Sequence, residues 1–207
     1  MVLAGGIASG RMGAAGMNPL LKDLALETLR DPASAARRIL SMGLSSQAIW
    51  TGVALVAVVN TLLYSLSILQ FEGMTGAQTG MNLPILYLAL LSAAMVIGAL
   101  VLQWIGKMMG GTAEFLDLLV LLAWLQGLRA VAQAALIALM MVSTSLANLA
   151  ALALGLYGLW LMAQFVKTAQ GWDSLGKAIM SLVLAGVGFV LALSIFVLLI
   201  GASSMGM

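Results

Sequence analysis

Gln126, Arg129 and Gln133 are the residues of this chain best suited to chemistry inside an apolar environment. They are spaced i, i+3, i+7, so on a helix they share one side. A guanidinium flanked by two amides can bind a phosphate or carboxylate, line a polar path, or tie neighbouring helices together. Arg129 is the only charge between Asp117 and Lys167, and a charge at bilayer depth is costly enough to demand a partner. The 7 acids are Asp23, Glu27, Asp31, Glu72, Glu114, Asp117 and Asp173. The nearest in sequence, Asp117, lies roughly 18 Å away along a helix. Amides, carbonyls, water or a lipid phosphate remain as partners, with Asn60, Gln103, Asn148 and Gln164 as the candidate amides. Two readings stand. One is an interhelical polar clasp, contributing roughly 0.6–2 kcal/mol per hydrogen bond. The other is an anion or lipid-headgroup site, or a polar cavity. The expectation is that this side turns into the bundle.

Other constellations are weaker. Glu114 and Asp117 stand three apart at a helix start, where the helix dipole favours acids without any catalytic role. With 0 Cys and 0 His, the chain offers no thiol nucleophile, disulfide, imidazole base or common zinc ligand set. No catalytic, cofactor-binding or metal site is expected. The 15 methionines are scattered through apolar runs as flexible packing residues. Gly106 and Gly110 allow close helix packing, within the bundle or across a dimer seam. Arg37 and Arg38 are candidate contacts to anionic lipid, each contributing about 1 kcal/mol beside a charged leaflet.

The elements that must position these residues follow from composition. Of 207 residues, 63% are hydrophobic and only 8% are charged, too little polarity to cover a soluble domain. The net charge of +2 is not gathered into a patch fit for nucleic acid. Residues 1–17 read as a flexible, Gly-rich tail, with Met1 and Met17 both plausible starts. Asn18-Pro19 and Asp31-Pro32 each open a short amphipathic helix within 18–45, expected to lie at the interface. Long apolar runs follow at about 47–71, 84–107, 115–142, 146–166 and 175–201. Each suffices for a span of about 20 residues, and none alternates like a barrel strand. Together, 46–202 reads as a membrane domain of five helices, with 203–207 a short tail. The expected fold is all-α: an integral membrane bundle with amphipathic cytoplasmic N-terminal helices.

Orientation follows from charge. In a five-span arrangement Arg11, Lys22, Arg30, Arg37, Arg38, Lys107, Lys167 and Lys177 all fall on one side. The positive-inside rule makes that side cytoplasmic and places the C-terminus on the far face. Trp50, Trp104 and Trp172 lie near helix ends, where amphipathic rings prefer to sit.

Three segments carry a resemblance. They are the Pro-containing lead LRDPASAARRIL, the loop and span start GGTAEFLDLLVLLAW, with Gly110, Gly111 and Phe115, and the closing LYGLWLMAQFVKTAQGWDSLGKAIMSLVLAG. On these the chain resembles the Yip family (Ypt-interacting proteins), in its bacterial branch, from about residue 20 to 201. The resemblance implies five spans in this orientation and a role in membrane organisation or protein scaffolding, with no catalytic residue. The third span reads AWLQGLRAVAQ, without the proline of many members. The acidic motif of the eukaryotic N-terminal domain is absent, so the resemblance does not extend to a Rab-type GTPase partner.

The expected function is therefore that of a non-enzymatic multi-pass protein of a bacterial inner membrane, with N-terminus cytoplasmic and C-terminus periplasmic. It would organise membrane or scaffold other membrane proteins. Its expected partners are the bilayer, with anionic lipid a candidate, other membrane proteins, and a second copy of the chain; no nucleic acid and no cofactor are expected. A small transporter or channel component, with a polar path around Arg129, is the alternative.

Overall fold

The computed structural model describes the backbone of residues 19–75 and 83–204, and the side chains of 19–69, 83–188 and 190. The expected tail 1–17, the Asn18 cap, most of the first loop and residues 205–207 lie outside the described residues. What is described is helical: α1 (19–30), α2 (Pro32–Ser41), α3 (Ser46–Thr75), α4 (Pro84–Met108), α5 (Phe115–Met140), α6 (Thr144–Ala169) and α7 (Leu175–Ser204). Four of them, α3 to α6, are long and apolar enough to cross a membrane, and α7 contributes a shorter apolar stretch, Leu175–Gly188.

Local signals set the boundaries. Asp31 caps α2, its carboxylate accepting from the Ser34 amide at 3.0 Å and the Ser34 hydroxyl at 2.7 Å. The Ser34 hydroxyl and amide hold the Asp31 carboxyl below its ordinary pKa, with Arg37 a smaller contributor. Gly43 ends α2 with a positive φ of 57°, the left-handed turn that glycine adopts at lowest cost. Pro84 supplies the first turn of α4. At the start of α5 the Glu114 amide donates to Asp117 Oδ2 at 3.1 Å, which gives the Glu114–Asp117 pair a capping role. Ser143 caps α6 through the Leu146 amide.

α5 is the central helix, packed against α3, α4, α6 and α2. Packing is graded along the bundle. The end that carries Lys107, Lys167 and Lys177, called the basic end below, holds the main core of Ile49, Val53, Ala99, Leu102, Leu118, Leu119, Val166 and Trp172. Towards the far end, the only buried residue of α6 before Leu161 is Ala147, and residues 84–94 of α4 contain none. Lipid must cover those outward leucines, which include Leu149, Leu152, Leu156 and Leu159.

α2 places its apolar side against protein. Pro32, Ala35, Ala36 and Ile39 are buried, in a cluster with Leu24 of α1, Leu121 of α5 and Phe165 of α6. Arg37 and Arg38 face away and are exposed. The apolar face that fitted an interfacial helix is thus occupied by α5 and α6. Periodicity reports an apolar neighbour; it does not distinguish lipid from a helix. Trp172 also departs from expectation: it is 7% exposed and belongs to the core, whereas Trp50 and Trp104 are outward.

Candidate functional site

Two polar assemblies stand out, and the larger lies at the basic end. Gln170 follows α6 and is 1% exposed. Its amide nitrogen donates to the Leu102 carbonyl of α4 at 3.0 Å, and its amide oxygen accepts from the Ala113 amide at 3.2 Å. Its main-chain carbonyl accepts from the Thr112 amide at 3.2 Å. One residue therefore fastens the α6–α7 link to both α4 and the α4–α5 link. Glycine makes room for it. A Cβ on Gly106 would lie 2.6 Å from the Gln170 amide oxygen and closer still to the nitrogen. A Cβ on Gly111 would lie 2.8 Å from its side-chain carbonyl carbon and 3.0 Å from the Gly106 carbonyl. Gly110 and Gly171 turn the two links with φ of 79° and 67°. Nothing in the sequence singles out Gln170. Gly106 and Gly110 do stand out there as positions of close helix packing, and the approach that Gly106 admits is that of an amide.

The N-terminal helices are fastened within the same half of the bundle. Thr28, fully buried, donates to the Leu24 carbonyl and accepts from Trp124 Nε1 of α5 at 3.0 Å. The Tyr157 hydroxyl of α6 donates to the Leu29 carbonyl at 2.6 Å. Arg38 bridges back to Glu27 at 2.7 Å, tying α2 to α1.

The second assembly is the α3–α5 seam. Asn60, 2% exposed, donates to its own helix at Val56 and across to the Gln126 carbonyl at 3.3 Å. Two turns further, Gln133 Nε2 donates to Ser67 Oγ at 3.2 Å. The Gln126 side-chain oxygen is buried and has no hydrogen-bond partner. Arg129 stands apart: it is exposed, and among the described residues it makes no hydrogen bond or ion pair. Gln126 and Gln133 are both half-buried whereas Arg129 is exposed, so the three residues do not turn into the bundle together as their spacing suggests. The reason lies in helix geometry. At about 100° per residue, Gln126 and Gln133 differ by about 20°, while Arg129 lies about 60° from Gln126. The clasp exists; Asn60, Ser67, Gln133 and the Gln126 backbone make it, without the arginine.

The sequence that builds these helices matches the Yip1 domain family model over residues 26–196. The chain belongs to the Yip1 domain family. No curated protein and no solved structure matches it. In this Yip1 domain the Gln170 fastening falls inside the matched region, as do α2 and the whole α3–α5 seam. Arg37 and Arg38, the other candidate contacts, lie on the exposed side of α2, with Arg37 donating to Ser34 Oγ at 2.9 Å. No group of three or more acids, His or Cys converges among the described residues.

Proposed function

We propose that this Yip1-domain protein is a non-enzymatic scaffold that organises membrane or holds other membrane proteins together. In this reading α7 completes a fifth span, the basic end is cytoplasmic, the C-terminus is periplasmic and the membrane is a bacterial inner membrane. The observation that carries it is the construction of the basic half of the bundle. Gln170, Thr28, Trp124, Tyr157 and Glu27 all serve to fix loops and leading helices to the bundle. Arg30, Arg37, Arg38, Lys107 and Lys177 remain exposed around that cap. A rigid surface with outward cations suits recognition of partners and of anionic headgroups. Mild crosslinking in native membrane followed by pull-down tests it. A reproducible set of membrane proteins is expected; recovery of lipid alone contradicts the scaffold.

A transporter with an internal polar path is the second reading, favoured by the buried, unpartnered oxygen of Gln126. The chain has 0 Cys, so Gln126→Cys and Gln133→Cys each introduce a lone thiol. Fast reaction of either with an aqueous maleimide would favour transport. The groove beside this seam is lined by Leu55, Val56, Val59, Leu63, Gly127, Ala130, Val131 and Ala134, without a polar side chain, and both thiols are expected to stay unreactive.

A further inference from the structure

We infer that Arg129 binds the phosphate of an anionic phospholipid that enters beside the α1–α2 corner. The inference rests on the membrane-spanning character of the fold and is independent of the scaffold role.

Depth comes first. Arg129 lies near the middle of α5, which runs Phe115–Met140, about 21 Å from its start. A phosphate has no reason to reach that level on an ordinary span. On this flank the polar boundary is drawn inward. Trp124 and Tyr157, which hold α1 through Thr28 and Leu29, stand roughly 14 Å and 18 Å along their helices from the basic end. The corner between α1 and α2 is therefore carried well down the flank, and it bears Glu27, Arg30 and Asp31. Water and headgroups must follow those charges.

Direction comes next. Leu121 and Leu125 pack against the α1–α2 cluster, and Arg129 continues the same i, i+4 row. It thus occupies the strip of α5 just past the part that the N-terminal helices cover. Side chains on a helix lean towards its N-terminus, which for α5 is the basic end. A guanidinium reaching about one turn that way comes level with the corner.

The partner follows by elimination and by charge. Glu27 is engaged by Arg38, the Asp31 carboxylate by Ser34, and the Leu29 carbonyl by Tyr157. Arg30 is exposed at the corner, and Lys22, Arg37 and Arg38 are exposed nearby on the same two helices. An anion is what these surroundings attract. Exposed Leu26 and Leu29 of α1 and Leu156 and Leu159 of α6 give the flank an apolar surface for acyl chains. A planar guanidinium pairs bidentately with phosphate oxygens, which a lysine does not reproduce.

The test uses the purified full chain in phosphatidylcholine nanodiscs, with phosphatidylglycerol, further phosphatidylcholine or inorganic phosphate added. Thermal unfolding and native mass spectrometry give two readouts. Phosphatidylglycerol is expected to raise the wild-type midpoint above phosphatidylcholine and to persist as an adduct. In Arg129→Gln that lipid-specific increment should vanish and the apparent affinity should fall at least about tenfold, with the midpoint in phosphatidylcholine unchanged. Arg129→Lys, which keeps the charge and safeguards against a variant that does not fold, should bind with reduced affinity. An undiminished increment in Arg129→Gln overturns the inference. So does equal stabilisation by inorganic phosphate, which would make the ligand a soluble anion, or an arginine-dependent contact to a second protein in place of lipid.

Discussion

Replacing Gln170 by alanine should destabilise the fold more than any other single change in the polar cap. The substitution removes the bond to the Leu102 carbonyl and leaves the buried Ala113 amide without its acceptor. Each hydrogen bond contributes about 1 kcal/mol, and an orphaned buried donor costs about 1–3 kcal/mol. The expected loss is about 2–4 kcal/mol. Gly106→Ala should come close to it by a different route. Its new Cβ takes the place of the Gln170 amide, so the same bonds break, offset by about 1 kcal/mol of improved helix propensity. The double variant is decisive. Once Gln170 is truncated, the three atoms nearest to the Cβ introduced by Gly106→Ala are gone, so the second substitution should add little further loss. A coupling of about 2 kcal/mol is expected in a double-mutant cycle, read by reversible unfolding in mixed detergent micelles. Losses that add to within about 0.5 kcal/mol would show that Gly106 and Gln170 do not share a site.

Further outcomes follow from the same structure. Thr28→Val leaves Trp124 Nε1 without its acceptor and should cost about 1–2 kcal/mol; the sharper sign is faster tryptic cleavage at Arg30 as α1 leaves α5. Asn60→Leu removes the bond to the Gln126 carbonyl and should cost about 0.6–2 kcal/mol in micelles, with Gln133→Leu at the lower end of that range. Asp31 has a folded-state pKa held below its unfolded value. Its stabilising effect is therefore present above about pH 4 and is lost as pH falls through the folded value. Asp31→Asn should abolish that part of the acid dependence, measured as α2 melting against pH.

Much of this was legible in the sequence, for identifiable reasons. The apolar runs gave α3 to α6 because a membrane span needs length and little else. Asp31-Pro32 and Glu114–Asp117 are start signals that act within one turn, so they survive any tertiary context. Asn60 could be named as a candidate because an amide in an apolar run needs a partner. What stayed hidden depends on which segments meet. Gln170 looks like an ordinary loop residue until the α6–α7 link is laid against Gly106 and Gly111. The side of α5 that bears Arg129 could not be resolved from its neighbours, since a spread of about 60° separates a buried position from an exposed one. The apolar face of α2 read as lipid-facing because Ala35, Ala36 and Ile39 carry no mark of what covers them.

The scaffold role is tested most directly by site-specific photo-crosslinking in native membrane, with the probe at Arg37 or Arg38 on the outer side of α2 and at Leu149 or Leu152 on the lipid-facing side of α6 as controls. Discrete adducts to the same few membrane proteins are expected from the two α2 positions and not from the α6 positions. Adducts to lipid alone from α2, or an identical protein pattern from all four positions, would contradict it.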